Sequence, residues 1–213
     1  MVEIVLATAN PHKVKEMKAI FSALAPAVRL IGLDTLAPGP IPEPAEVGST
    51  FEENSEIKAI AYARATGRVC LADDSGLEID ALGGRPGVIS SHYCTDGREA
   101  GMTRAERDGA NNNRVLRELE GIESVQRSAR FVCTMTLGDA QGRILGRSKG
   151  TFEGRIGIPP RVPSGHSGFG YDPLFLVAPD FLRTSSELPP EEKNLLSHRR
   201  RAAEQMARIV ETM

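Results

Sequence analysis

Only three cysteines occur in the 213 residues, Cys70, Cys94 and Cys133. They are widely spaced and form no CxxC pair, which excludes a zinc-ribbon pattern and a disulfide scaffold. Free thiols in a reducing compartment are the expectation. No stretch approaches the roughly 18 apolar residues that a membrane span requires. The opening MVEIVLATAN has too short an apolar run, and no basic flank, for a secretory signal. A cytoplasmic protein without membrane attachment is therefore expected. The formal net charge is only -2, from 26 basic and 28 acidic residues. Bulk electrostatics thus supplies no reason for a nucleic-acid or anionic-membrane partner, although a local cationic pocket is compatible with it. Internal repeats, low-complexity tracts and disordered linkers are also missing. The phosphate-binding pattern GxxxxGK[ST] is absent as well.

What is present is an ordinary globular mix, 40% hydrophobic and 25% charged. It suits one domain over residues 1–213, or two lobes sharing a core. Val2 to Ala7 is an apolar, β-branched run and reads as a buried strand. Asn10 can cap a helix with Pro11 in its first turn, followed by Val14, Met17, Ile20, Phe21 and Leu24 at helical spacing. A second strand is expected over Val28 to Leu33, then a Pro/Gly-rich loop over 34–50. Thr50 opens a second helix that Gly67 stops. Val69 to Ala72 reads as a strand ending at Asp73-Asp74-Ser75-Gly76, with another short strand over Leu77 to Leu82. Residues 101–120 are helix-like, with Leu116 and Leu119 inward. Ala129 to Leu137 and 143–154 read as a hairpin or meander, and Tyr171 to Val177 as a further strand. One long amphipathic helix is expected from about Pro190 to Met213. Strand–helix units followed by a hairpin imply an α/β fold with a mixed sheet.

Four polar segments fall where elements end, and ligands of α/β sheets bind beyond the carboxyl ends of strands. Thr8-Ala9-Asn10-Pro11-His12-Lys13 is a strand-to-helix turn, and a helix N-terminus with a lysine suits phosphate. An ordinary capped helix with a solvated lysine fits the same residues. In Asp73-Asp74-Ser75-Gly76, adjacent carboxylates after a buried run are costly unless a cation or donors neutralise them. Mg²⁺ favours one or two carboxylates with waters and phosphates; an Asp-rich turn is the plain alternative. Glu46, Thr50, Glu53 and Lys58 form the third group, equally readable as a solvated helix face. The fourth is Gly165 to Pro173 with Lys193, His198 and Arg199. Its glycines allow close backbone approach and Phe169 can stack on a base, or tuck into the core. Together the segments suit a metal-bound, phosphate-rich nucleotide.

The same residues resemble the inosine triphosphate pyrophosphatase family, hydrolases of non-standard purine nucleotides. The matching stretches are LATANPHKVKE at 6–16, TFEENSEIKA at 50–59, ADDSGLEIDALGGRPGV at 72–88, ARFVCTMTL at 129–137, SGFGYDPLF at 167–175 and LPPEEKNLLSHRRRA at 188–202. The resemblance implies an elongated, two-lobed α/β fold with a central mixed sheet flanked by helices, a cleft between the lobes, and a homodimer. It implies that Thr8 through Lys13 hold the triphosphate, and that Glu46 and Asp74 bind Mg²⁺. It makes Asp74 the proton acceptor, and puts Ser75 and Lys58 in contact with substrate. Phe169, Gly170, Tyr171 and Asp172 would line the base and sugar pocket, completed by Lys193, His198 and Arg199. This chain departs from the family at Ser90-Ser91-His92-Tyr93, where His92 replaces a usual arginine, and at Pro11-His12.

On that reading, water attacks the α-phosphorus of a purine triphosphate such as inosine, deoxyinosine or xanthosine triphosphate and pyrophosphate leaves. Asp73 is a further candidate ligand or base, and Lys13, Lys58 and Lys193 stabilise the charge that moves. His198 and Arg199 form a donor pair toward the 6-oxo group of the base. Two other readings remain open: a pyrophosphatase for modified pyrimidine nucleotides, and a non-catalytic nucleotide-binding module.

Overall fold

The computed structural model describes residues 2–8, 10–36 and 41–212. A six-stranded sheet has the order β2-β1-β3-β4-β5-β6. Here β1 is Val2–Leu6, β2 Val28–Gly32, β3 Cys70–Ile79, β4 Ser128–Gly138, β5 Ile144–Ile156 and β6 Phe175–Val177. Strand β1 runs parallel to both of its neighbours, β2 and β3. Strands β5 and β6 are antiparallel. Five residues join β4 to β5, enough only for a hairpin. The sheet is therefore mixed, as expected from the order of elements. Among the described residues five α-helices accompany it: α1 (Pro11–Leu24), α2 (Phe51–Thr66), α3 (Arg104–Glu118), α4 (Pro190–Leu196) and α5 (His198–Glu211). None of the described helices is long and apolar enough to cross a membrane.

The chain forms two compact units. The first comprises Met1–Asp74, Cys133–Gly150 and Ser197–Met213, the second Ser75–Val132 and Thr151–Leu196. In the first unit, strand alternation sorts side chains between two apolar clusters. Ile4, Leu6 and Leu71 pack with Met17, Ile20 and Phe21 of α1 and with Ala203 and Met206 of α5. Val5, Ala7, Cys70 and Ala72 point the other way and pack with Ala59, Tyr62 and Ala63 of α2. Helix α2 begins and ends as its sequence requires. The Thr50 side chain accepts from the Glu53 amide, and Gly67 closes the helix in the left-handed region. Glu53 in turn accepts from the Ser49 amide at 2.6 Å. Helix α5 lies directly on β5. A Cβ at Gly146 would collide with Ile209, and one at Gly150 with the backbone of His198 and Ala202.

The second unit has its own core around Leu77, Ile79, Tyr93, Val115, Leu119 and Phe152. Phe131 and Phe175 stack there with centroids 4.6 Å apart. Thr103 and Glu106 form a reciprocal capping box at the start of α3. Beyond its other end, the buried Arg127 guanidinium donates to the carbonyls of Leu119, Ile122 and Gly157 at 2.7–3.0 Å. The bond to Leu119 satisfies a carbonyl that the helix end leaves open.

Three expectations are corrected. No strand ends at Asp73: β3 continues through Asp73-Asp74-Ser75-Gly76 to Ile79. Strand β6 is only Phe175–Val177, because turn bonds from Leu174 N to Tyr171 O and from Phe175 N to Asp172 O occupy the preceding residues. The last helix is two helices. Ser197 is extended and its side chain accepts from the Arg200 amide, so it starts a new helix.

Candidate active site

Because β3 runs on without a break, Asp73 and Asp74 leave it on opposite faces. Asp73 follows Leu71 toward α1 and α5, and Asp74 follows Ala72 toward α2. Each carboxylate meets cations from the helix on its own side.

On the α1/α5 face, Lys13 Nζ lies 3.0 Å from Asp73 Oδ2. Arg199 Nε lies 3.4 Å from the same oxygen, and Arg199 Nη1 is 3.0 Å from Glu16 Oε2. Burial would raise the Asp73 carboxyl, but Lys13, Arg199 and Lys58 outweigh it and hold the group far below the usual carboxylate range. Asp73 is thus held charged among these cations. Sheet alternation puts it on the opposite face from Asp74. Lys13 is carried there by the turn into α1. Asn10 Oδ1 accepts from the Lys13 amide at 3.4 Å, and the Asn10 amide donates to Thr8 Oγ1 at 3.2 Å. Asn10 caps α1 as its position before Pro11 indicates. Ala9 lies outside the described residues, as does the side chain of His12.

On the α2 face, Lys58 Nζ donates to Asp74 Oδ1 at 2.6 Å and to Glu46 Oε1 at 3.2 Å. Lys58 sits on the buried stripe of α2 between Ser55 and Tyr62. Burial alone would lower its ammonium; the charges of Asp74, Glu46 and Asp73 reverse that and raise it. Asp74 moves upward too, for its own reason. Burial dominates, Glu46 adds to it, and the attraction of Lys58 and Lys13 recovers only part, leaving the carboxyl at about 6. Its second oxygen, Oδ2, is buried and has no hydrogen-bond partner among the described residues. An orphaned carboxylate oxygen of this kind is costly unless something else completes it. With Glu46 drawn to the same ammonium, the donor set is two carboxylates, a set that fits a hard divalent ion.

The second unit gathers the glycine–aromatic segment. Asp172 is its hub and is 3% exposed. Its Oδ2 accepts from Lys193 Nζ at 2.6 Å and from the Phe169 amide at 2.8 Å. Its Oδ1 accepts from Ser185 Oγ at 2.8 Å. Gly168 has φ +82°, and a Cβ there would strike the Asp172 carboxylate, so only glycine fits. Phe169 is half-buried, with Arg104 Cζ 4.7 Å and Lys193 Nζ 5.4 Å from its ring centroid. Tyr171 is buried and its hydroxyl donates to the Ser90 carbonyl at 2.7 Å, which makes it a support of the segment. Ser75 opens this unit, in mid-strand.

The structure therefore brings together Lys13, Asp73 and Arg199, brings together Glu46, Lys58 and Asp74, and separately joins Phe169, Asp172 and Lys193. Arg199 enters the Asp73 network as a buried donor. His198 occupies the first turn of α5 and is 5% exposed. His92, the departure from the family pattern, has Nδ1 2.9 Å from Ser91 Oγ and Nε2 3.2 Å from Glu99. Sequence reasoning did not single out Glu16 or Ser185. Glu16 is one helical turn after Lys13, so its spacing held a usable signal. Ser185 held none, since it reaches Asp172 only through the tertiary fold.

The sequence model of the Ham1 family matches residues 4–209. A dITP/XTP pyrophosphatase of Nitratidesulfovibrio vulgaris is 43% identical, over 97% of this chain and 94% of its own length. One of Bacillus subtilis is 42% identical, over 99% and 98%. Among solved structures, a HAM1 protein from Coxiella burnetii superimposes with a TM-score of 0.82 at 40% identity, covering all of both chains. The Staphylococcus aureus Ham1 protein gives 0.78 at 36% identity, covering 99% and 98%. Matching over nearly the full length of these relatives, with the mixed sheet and the clustered charges at the motifs, the chain belongs to the Ham1 family.

Proposed function

We propose that the protein hydrolyses non-standard purine nucleoside triphosphates, of the inosine, deoxyinosine and xanthosine type, to the monophosphate and pyrophosphate. The observation that carries this reading is the Asp74 carboxylate, buried beside Lys58 with one oxygen unpartnered among the described residues. Support also comes from the activity named for its relatives, dITP/XTP pyrophosphatase.

Water adds its oxygen to the α-phosphorus, and the bond from that phosphorus to the bridging oxygen breaks. The water proton passes to Asp74, buried beside Lys58 at 2.6 Å. Lys58 holds Asp74 in place and keeps the surroundings positive. Lys13, at the start of α1, offsets phosphate charge, with Asp73 and Arg199 fixing its direction. Mg²⁺, held by Asp74 and Glu46, would neutralise phosphate charge and polarise water. Thr8 and Asn10 shape the phosphate turn. Phe169, with Gly170 and Asp172, receives the base and sugar. The enzyme would act in the cytoplasm and as a homodimer, the latter resting on the family resemblance.

The test is product analysis with inosine, xanthosine, guanosine and adenosine triphosphates and a modified pyrimidine triphosphate, each with and without Mg²⁺. Monophosphate and pyrophosphate from the first two, at least roughly 10²-fold faster than from adenosine triphosphate, is the expected pattern. Preference for the pyrimidine, or binding without any monophosphate product, would reject it.

A further inference from the structure

Helix α3 carries no residue of the proposed site, yet three of its side chains reach the aromatic segment. Arg104, Asp108 and Asn112 are spaced four apart and so form one stripe along the helix. Asp108 Oδ2 accepts from the Gly170 amide at 3.0 Å. Asn112 Nδ2 donates to the Gly170 carbonyl at 3.1 Å. Two side chains one helical turn apart therefore satisfy both backbone polar groups of a single residue, as a neighbouring strand would. Arg104 lies over the Phe169 ring itself.

This clamp sits where the backbone is otherwise least constrained. Gly168 and Gly170 flank Phe169 and both adopt positive φ, +82° and +62°. Glycine loses more freedom on ordering than any other residue, so a ring between two glycines needs external fixing. Asp172 supplies it on one side, through the Phe169 amide. Asp108 and Asn112 supply it on the other.

We infer that Asp108 and Asn112 are positioning residues for purine recognition, holding the Phe169–Gly170 turn in the conformation that receives the base. This rests on the purine-triphosphate reading above and adds a determinant outside its motifs. Neither side chain touches the base. Their effect appears as affinity for the nucleoside end of the substrate, while the phosphate end is left alone.

The test measures binding of inosine monophosphate and, separately, of pyrophosphate to the full-length protein, with steady-state hydrolysis of inosine triphosphate alongside. For Asp108→Ala, affinity for inosine monophosphate should fall roughly 10-fold or more, the scale of one hydrogen bond to a charged acceptor. Pyrophosphate affinity should be unchanged, and KM should rise while kcat stays within about 3-fold. Asp108→Asn keeps an oxygen that accepts from Gly170 and should restore binding to within about 3-fold. It also removes the Asp108–Arg104 ion pair of 3.8 Å, whose partly exposed partners contribute little. If Asp108→Ala does not fold, Asn112→Ala carries the same test. Unchanged inosine monophosphate affinity in these variants, with an active wild type, overturns the inference alone. A wild type that neither binds inosine monophosphate nor hydrolyses purine triphosphates overturns the underlying reading, and the inference with it.

Discussion

Asp74→Asn should lower kcat for inosine triphosphate on the order of 10²-fold or more, the usual scale of a lost general base. Its stability relative to wild type should depend on pH. Burial pushes the Asp74 carboxyl from its ordinary 3.8 to about 6, with Glu46 adding to the shift and Lys58 and Lys13 opposing it. A group that binds its proton more tightly when folded favours folding at low pH. That advantage is complete below about pH 4 and is lost as pH rises through 6. The variant lacks this titration, and it also leaves buried Lys58 without its 2.6 Å partner. Its stability relative to wild type should therefore rise between pH 5 and pH 8. Activity lost in a variant that still melts cooperatively separates a chemical role from a damaged fold. An Asp74→Asn protein with near wild-type turnover would remove Asp74 from the mechanism.

Arg199→Ala is expected to act mainly on stability. Its guanidinium is buried between Asp73 and Glu16, and removal takes away one of the cations that balance a carboxylate with no solvent access. Breaking a buried ion pair by deleting one partner costs about 3–5 kcal/mol. Against a total stability of about 5–15 kcal/mol that is a large share. At about 2–4 °C per kcal/mol for a chain of this size, Tm should drop by roughly 6–20 °C. Asp73→Asn in the same protein should recover part of the loss, because the unbalanced charge goes with it. A thermal melt of the two variants decides. An unchanged Tm with a weakened preference for inosine over adenosine triphosphate would instead return Arg199 to the base, where the family resemblance puts it.

Much of the first unit was legible because its signals are local. Apolar spacing in α1, the Asn10 cap, and Thr50 and Gly67 around α2 act within a few residues. The Asp73-Asp74 pair was not. Two charged residues after Ala72 read as the end of a strand, since isolated buried carboxylates are expensive. Their cost is offset by Lys58, 16 positions from Asp74, and by Arg199, 126 positions from Asp73. No window along the chain shows both members of such pairs. Once the strand is known to continue, alternation alone assigns the two acids to different faces. Tyr171 to Leu174 failed similarly. Tyr171 and Leu174 extend the apolar run of β6, but Asp172 draws the backbone into turns by accepting from the Phe169 amide. Ser197 is a different case: serine favours the start of a helix, but the amphipathic pattern running across it concealed the break.

Hydrolysis of inosine triphosphate in heavy-oxygen water, followed by mass analysis of both products, tests the chemistry assigned to the Asp74 cluster most directly. Attack at the α-phosphorus leaves the heavy oxygen in inosine monophosphate and none in pyrophosphate. Heavy oxygen in pyrophosphate, or release of orthophosphate in its place, would contradict the account.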